Sequence, residues 1–202
     1  MKKSLSQEIE KQMIAMVKKL KNPRIAPLEG EWDKSISQEY NIAKKIYGGK
    51  IINIVKTIAR HPKLLKNWFL FFGYILTRSK LPKRDREIVI LRIGWLCQSE
   101  YEWAQHAIDA KEIGLTDREI QGIIKGADDD CWSDFEKIII HAVDELHTNA
   151  FISDNTWKVL SEKYDNKKLM DLIFTVGQYN LISMFLNSIG VQIEEGKKGF
   201  PE

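Results

Sequence analysis

Apolar residues recur at spacings of three and four along nearly the whole chain, and strictly alternating runs are absent. This is the periodicity of amphipathic helices rather than of half-buried strands. Leu5, Ile9, Met13, Met16 and Val17 share one face of a helix expected from Ser4 to about Lys21. Two prolines and a glycine between Asn22 and Asp33 predict a loop. Helices follow from Ser37 to Tyr47, closed by Gly48-Gly49, and from Lys50 to Arg60. Pro62 starts a helix carrying Trp68, Phe69, Phe71, Phe72 and Tyr74, a cluster suited to a core or a subunit interface. Pro82 opens a helix to about Trp95, with the break expected from Gly94 to Gln98, and the next helix runs from Ser99 to Gly114. Thr116 to Glu119 is a capping box for a short helix to Lys125. Ser133, then Ser153 or Asp154, then Asp165 cap the last three, the final one ending at Ser188 or Ile189 before Gly190. The segment after Gly190 is expected to be irregular.

The chain has 202 residues and 44% hydrophobic content, enough for one all-α domain with a buried core. A net charge of +3 does not argue for nucleic acid. The charge is uneven, however: residues 1–80 hold 17 Lys/Arg and 6 Asp/Glu, and residues 81–202 hold 14 and 22. Packing between oppositely charged halves or subunits accounts for that. Cys97 and Cys131 form no C-x-x-C pair, and two cysteines are too few for a disulfide framework. The most apolar run, Trp68 to Leu76, falls short of the roughly 20 residues a membrane helix needs, and the N-terminus lacks the apolar core of a secretory signal. A cytoplasmic protein with no membrane or nucleic-acid partner is expected.

The chemistry concentrates between Leu81 and Leu115. At about 100° per residue, His106 falls inside the stripe formed by Trp103, Ala107, Ala110 and Ile113, and Glu102 lies on its edge one turn earlier. Lys111, Glu112 and Gln105 fall on the outward side. An ionisable pair facing inward is costly unless partnered or used. The plainer alternatives are a hydrogen-bonded core histidine and a capping box that ties Glu102 to Ser99. Glu87, one helix earlier, can pair with Lys83 or Arg84. Cys97 in the break can be a small buried hydrophobe or a redox thiol. His61 precedes a proline and gives no signal; His141 and His147, six apart, do not share a face.

Arg86-Glu87, the Tyr-Glu-Trp of residues 101–103 and His106 resemble the signature of the carboxymuconolactone decarboxylase family, which shares the AhpD alkylhydroperoxidase fold. The stretches Asp144 to Trp157 and Leu169 to Gln192 are similar to longer single-domain members. The resemblance covers about residues 40–195 and divides the chain into an N-terminal helix and loop (1–35), a helical domain (36–195) and a tail (196–202). It implies a helical bundle that forms homo-oligomers, often trimers or hexamers. The AhpD pattern E-x11-C-x-x-C-x-x-x-H places Glu87 and His106 at family positions but puts Ser99 and Glu102 where the cysteines belong. Dithiol peroxidase chemistry is therefore disfavoured, because one thiol must attack and another resolve. What the resemblance implies instead is a cofactor-free carboxy-lyase, or related acid/base enzyme, acting on a small carboxylated lactone or similar acid. His106 would act as acid/base, with Glu102 orienting it, tuning its pKa or relaying a proton, and Glu87 in support. Arg92 or a cation from another subunit would hold the anionic substrate. No metal or cofactor is expected. A metal held by Glu87, Glu102 and His106, thiol chemistry at Cys97, and a non-catalytic oligomeric binding protein are the competing readings.

Overall fold

A computed structural model describes residues 20–201. The helix expected from Ser4 to Lys21 falls mostly outside them. All regular structure among the described residues is helical. A 3-10 turn (Lys34–Ile36) leads into α1 (Ser37–Ile46), followed by α2 (Asn53–Ile58), α3 (Pro62–Thr77), α4 (Lys83–Leu96), α5 (Glu100–Glu112), α6 (Asp117–Lys125), α7 (Asp134–Asn149), α8 (Asp154–Lys163) and α9 (Asn166–Ile189).

The bundle is built around α4. Ile88 to Ile93 is apolar but for Arg92, and Ile88, Val89, Ile90, Leu91 and Ile93 are all buried. A helix that is apolar all round needs neighbours on every side. It finds them in α5, α6, α7 and α9. The two charged groups on its buried surface are each paired. Glu87 meets α5, while Arg92 forks onto Asp144 at 2.6 and 3.0 Å and donates to the Ile123 carbonyl at 2.7 Å. Gly126, with φ +85°, lies against this fork; a Cβ there would sit 2.9 Å from the guanidinium. A second apolar cluster joins α1, α2 and α3 to the end of α9 through Leu65, Trp68, Phe69, Phe72, Ile182 and Leu186.

Local signals placed most helix ends. Thr116 and Ser133 form complete capping boxes, Ser153 and Asp165 cap α8 and α9, and Gly190 ends α9 with φ +74°. Gly94 does not break its helix: α4 continues to Leu96, and the reversal is made at Gln98, with φ +53°. Its side chain donates to the Trp95 carbonyl at 2.7 Å and holds the turn. The helix expected over Lys50 to Arg60 is confined to Asn53–Ile58. Arg60 instead reaches the Ala26 carbonyl at 2.5 Å. His61, silent in the sequence, accepts from the Leu64 backbone through Nδ1 at 3.2 Å and caps α3.

The chain after Gly190 is irregular but not loose. Phe200 stacks edge-on against Trp95 and Trp103, with centroids 4.8 and 5.4 Å apart. Glu194 accepts from the Asn53 amide at 2.7 Å and the Tyr101 hydroxyl at 2.6 Å. This corrects the assignment of Gln105 to an outward, solvated side. It is buried, donates to Glu194 and accepts from Lys197. The longest apolar stretch is α9, not α3. By length and composition α9 alone among the described helices could cross a membrane, yet more than half of its apolar window is buried in the bundle. Its outer face leaves Met170, Phe174, Leu181 and Met184 exposed.

Candidate functional site

α4 and α5 lie side by side, and their facing turns bring Glu87 and His106 together. Both are buried, and His106 Nδ1 lies 2.7 Å from Glu87 Oε2. The other carboxylate oxygen of Glu87 is 3.4 Å from Arg86 Nε. Glu87 thus bypasses the Lys83 or Arg84 pairing suggested by helix spacing. Arg84 bridges Glu119 and Glu136 instead. Glu102, one turn before His106 on the same helix, places Oε2 3.5 Å from Nε2. The capping-box alternative for Glu102 is not realised. Ser99 makes no side-chain cap bond, and its buried hydroxyl has no partner among the described residues. The three residues singled out by spacing therefore converge.

The electrostatics divide the roles. Burial alone would strip His106 of its proton, but the charge and hydrogen bond of Glu87 outweigh it, with help from Glu102 and Asp109, and raise the imidazole to about 9. Glu87 moves the other way. Burial would raise it, and the imidazolium and Arg86 together hold it below the ordinary value. Glu102 is pushed up to about 7 by burial, against the pull of His106 and with the repulsion of Glu87 and Asp109. At neutral pH the arrangement is a carboxylate–imidazolium pair beside a carboxyl group near its midpoint.

Glu102 and His106 line a cavity of about 150 Å³. Ile46, Ile52, Ile54, Trp68, Phe72 and Ile182 make most of its wall, and Tyr47, Tyr101, Gln105, Asp109, Gln178, Tyr179 and Lys197 supply polar groups. Tyr179 stands edge-on to the His106 ring, with centroids 5.0 Å apart. Asp109 follows His106 by one turn, a spacing that could have flagged it. Tyr179 and Gln178 on α9 and Lys197 in the C-terminal segment carry no local signal and reach the cavity only through folding. Arg92, expected to hold an anion, is committed to Asp144 and does not line the cavity.

Cys97 does not join the site. Its Sγ lies 2.9 Å from Asn180 Oδ1, and burial raises the thiol to about 11. Cys131 is raised to about 12 by burial and the neighbouring Asp129. Neither offers thiolate at neutral pH. Among the described residues, Glu87, His106 and Asp109 each offer one ligand atom within 4.8 Å of the others, so the grouping that could hold a metal contains Asp109 rather than Glu102.

These shifts fix a pH dependence of stability. Glu102 rises from 4.5 to about 7 and His106 from 6.5 to about 9, so both hold their protons more tightly folded than unfolded. The Glu102 contribution is complete below 4.5 and lost as pH rises through about 7. The His106 contribution is complete below 6.5 and lost as pH rises through about 9. Unfolding free energy should fall across this range, by on the order of 3 kcal/mol for each group. Urea titrations from pH 5 to 9 test it: Glu102→Gln should flatten the lower part of the fall and His106→Gln the upper part. Profiles parallel to wild type would contradict the assignment.

Residues 62–145 match the model of the carboxymuconolactone decarboxylase family. No curated protein matches the chain by sequence. Among solved structures, the chain is similar to a peroxidase-related protein of Silicibacter sp. TM1040, with a TM-score of 0.75 and 14% identity over 89% of this chain and 96% of that one. An AhpD-core, peroxidase-related protein of Ralstonia eutropha JMP134 gives a TM-score of 0.73 and 14% identity over 85% and 93%. The debrominase Bmp8, solved with 2,3,4-tribromopyrrole, gives 0.71 and 13% over 87% and 94%. At these identities the structures speak for the fold alone: the chain has an AhpD-like helical fold, and its α3 to α7 stretch is similar to the carboxymuconolactone decarboxylase family.

Proposed function

We propose that the chain is an acid/base enzyme, a carboxy-lyase in its simplest form, acting on a small carboxylated lactone or related acid. The observation that carries this is Glu102, a buried carboxyl raised to about 7 beside an imidazolium on the wall of one cavity. General acids and bases work best when their pKa lies near the working pH. The assignment shifts the leading role within the pair: Glu102 moves the proton, and His106, held charged by Glu87, stabilises negative charge. In decarboxylation the bond between ring carbon and carboxylate breaks and carbon dioxide leaves. The electron pair delocalises into the lactone carbonyl, whose oxygen is met by the imidazolium. Glu102 then protonates the carbon and recovers its proton from water. This route calls on no cofactor. His106 and Lys197 supply the positive charge first assigned to Arg92.

Thiol peroxidase chemistry is the weaker reading, since Ser99 and Glu102 stand at the dithiol positions and Cys97 lies off the cavity with a raised thiol. Assembly into a homo-oligomer, trimer or hexamer, belongs to the same proposal and would cover the exposed apolar face of α9. The direct test is release of carbon dioxide from a carboxymuconolactone and from other single-ring carboxylated lactones. Release by wild type, lost in His106→Ala, supports the reading. Full turnover by that variant, or no release from any of these compounds, rejects it.

A further inference from the structure

The long helix α9 brings two further polar side chains to the cavity that the acid/base step does not use. Tyr179 is 1% exposed and Gln178 4% exposed, and both line the cavity. The Tyr179 hydroxyl and the Gln178 amide nitrogen are buried without a hydrogen-bond partner among the described residues. Leaving a buried donor unpaired is costly, and folded proteins tolerate few such groups. Two on consecutive residues beside one cavity call for an acceptor from outside the chain. The volume limits what that acceptor belongs to, since about 150 Å³ is the size of cavity that takes up benzene. Trp68, Phe72 and Ile182 offer an apolar bed for one ring.

We propose that Tyr179 and Gln178 form a donor pair that binds the carboxylate of a single-ring acid and holds its ring between the apolar wall and the Glu102–His106 pair. They are positioning residues: they select a carboxylate and set where its ring lies. Lys197 and the His106 imidazolium make the cavity favourable for the anion, while Glu102, when protonated, does not oppose it. The proposal deepens the acid/base reading and rests on it for the substrate class, but binding can be measured without turnover.

The probe is 2-furoate, a five-membered ring bearing one carboxylate, with 2-methylfuran as the neutral control. Binding is followed by protein-observed NMR titration at pH 6 on the full chain. Tyr179→Phe removes one oxygen and leaves no void, and Gln178→Leu removes the amide at similar volume. Each should weaken 2-furoate at least tenfold, leave 2-methylfuran unchanged and keep or raise Tm, because an unpaired buried polar group is removed. Glu102→Gln should still bind 2-furoate. That result supports the donor pair even if no lactone is turned over. Equal 2-furoate affinity in wild type and both variants overturns the donor pair without touching the Glu102 mechanism. A fall in Tm with unchanged affinity assigns the two groups to a structural water and also overturns it. Failure of wild type to bind 2-furoate overturns it outright.

Discussion

Glu102→Gln is expected to lower kcat by roughly 10²- to 10⁴-fold, the range lost when a positioned proton-transfer group is removed, with little change in KM. The amide has nearly the same shape and cannot give up a proton in this range. With Glu102 as the acid of the proposed step, the wild-type rate should fall as pH rises through about 7, and that limb should vanish in the variant. The variant should fold well. Above pH 7 the wild-type protein pays to bury a carboxylate whose contact with His106 Nε2 is as long as 3.5 Å, and glutamine relieves that cost. Low activity therefore cannot be attributed to misfolding. The measurement is a pH–rate profile for both proteins on the lactone that releases carbon dioxide; more than a tenth of wild-type kcat in the variant would remove Glu102 from the chemistry.

Glu87→Ala is expected to destabilise the protein by roughly 3–5 kcal/mol at pH 7, the usual cost of removing one partner from a buried ion pair. His106 would keep a buried donor with its 2.7 Å partner gone, and Arg86 would lose the oxygen at 3.4 Å. The imidazole can escape by losing its proton, so the difference from wild type should shrink as pH rises toward 9. Glu87→Gln separates charge from geometry. It keeps an acceptor near Nδ1 but not the negative charge, so His106 should titrate well below 9 while the site stays assembled. NMR titration of the His106 ring reads this directly. An unmoved His106 in Glu87→Gln would show that Glu87 is not what holds the imidazolium.

Most of the scaffold was legible because its signals are local. Capping residues at Thr116, Ser133, Ser153 and Asp165, prolines at helix starts and Gly190 act over a few residues, and the helix ends follow them. The break expected from Gly94 to Gln98 falls only at the end of that range, at Gln98, for the complementary reason. Gly94 is freed to stay helical by burial between packed helices, and packing is not a local property. Likewise Gln105 looks solvated on a helical projection, until Glu194 and Lys197 fold back over it.

For the site, the sequence by itself determined which residues could meet on one helix face. His106 and Glu102 are four apart, and helical phase turns both inward. It also showed that the chain has no C-x-x-C pair, with Ser99 and Glu102 at the positions that the family resemblance gives to redox cysteines. The tertiary structure set the contacts and burial on which their proposed roles rest. Only the approach of α4 puts Glu87 on Nδ1 and makes His106 a cation, and only burial without a close partner lifts Glu102 toward neutrality. It also brought Tyr179, Gln178 and Lys197 to the cavity from more than 70 residues away in the chain. The physical reason is the same throughout. Helical periodicity is a short-range property of the chain, whereas a pKa depends on desolvation and on neighbouring charges that come together only when distant segments pack.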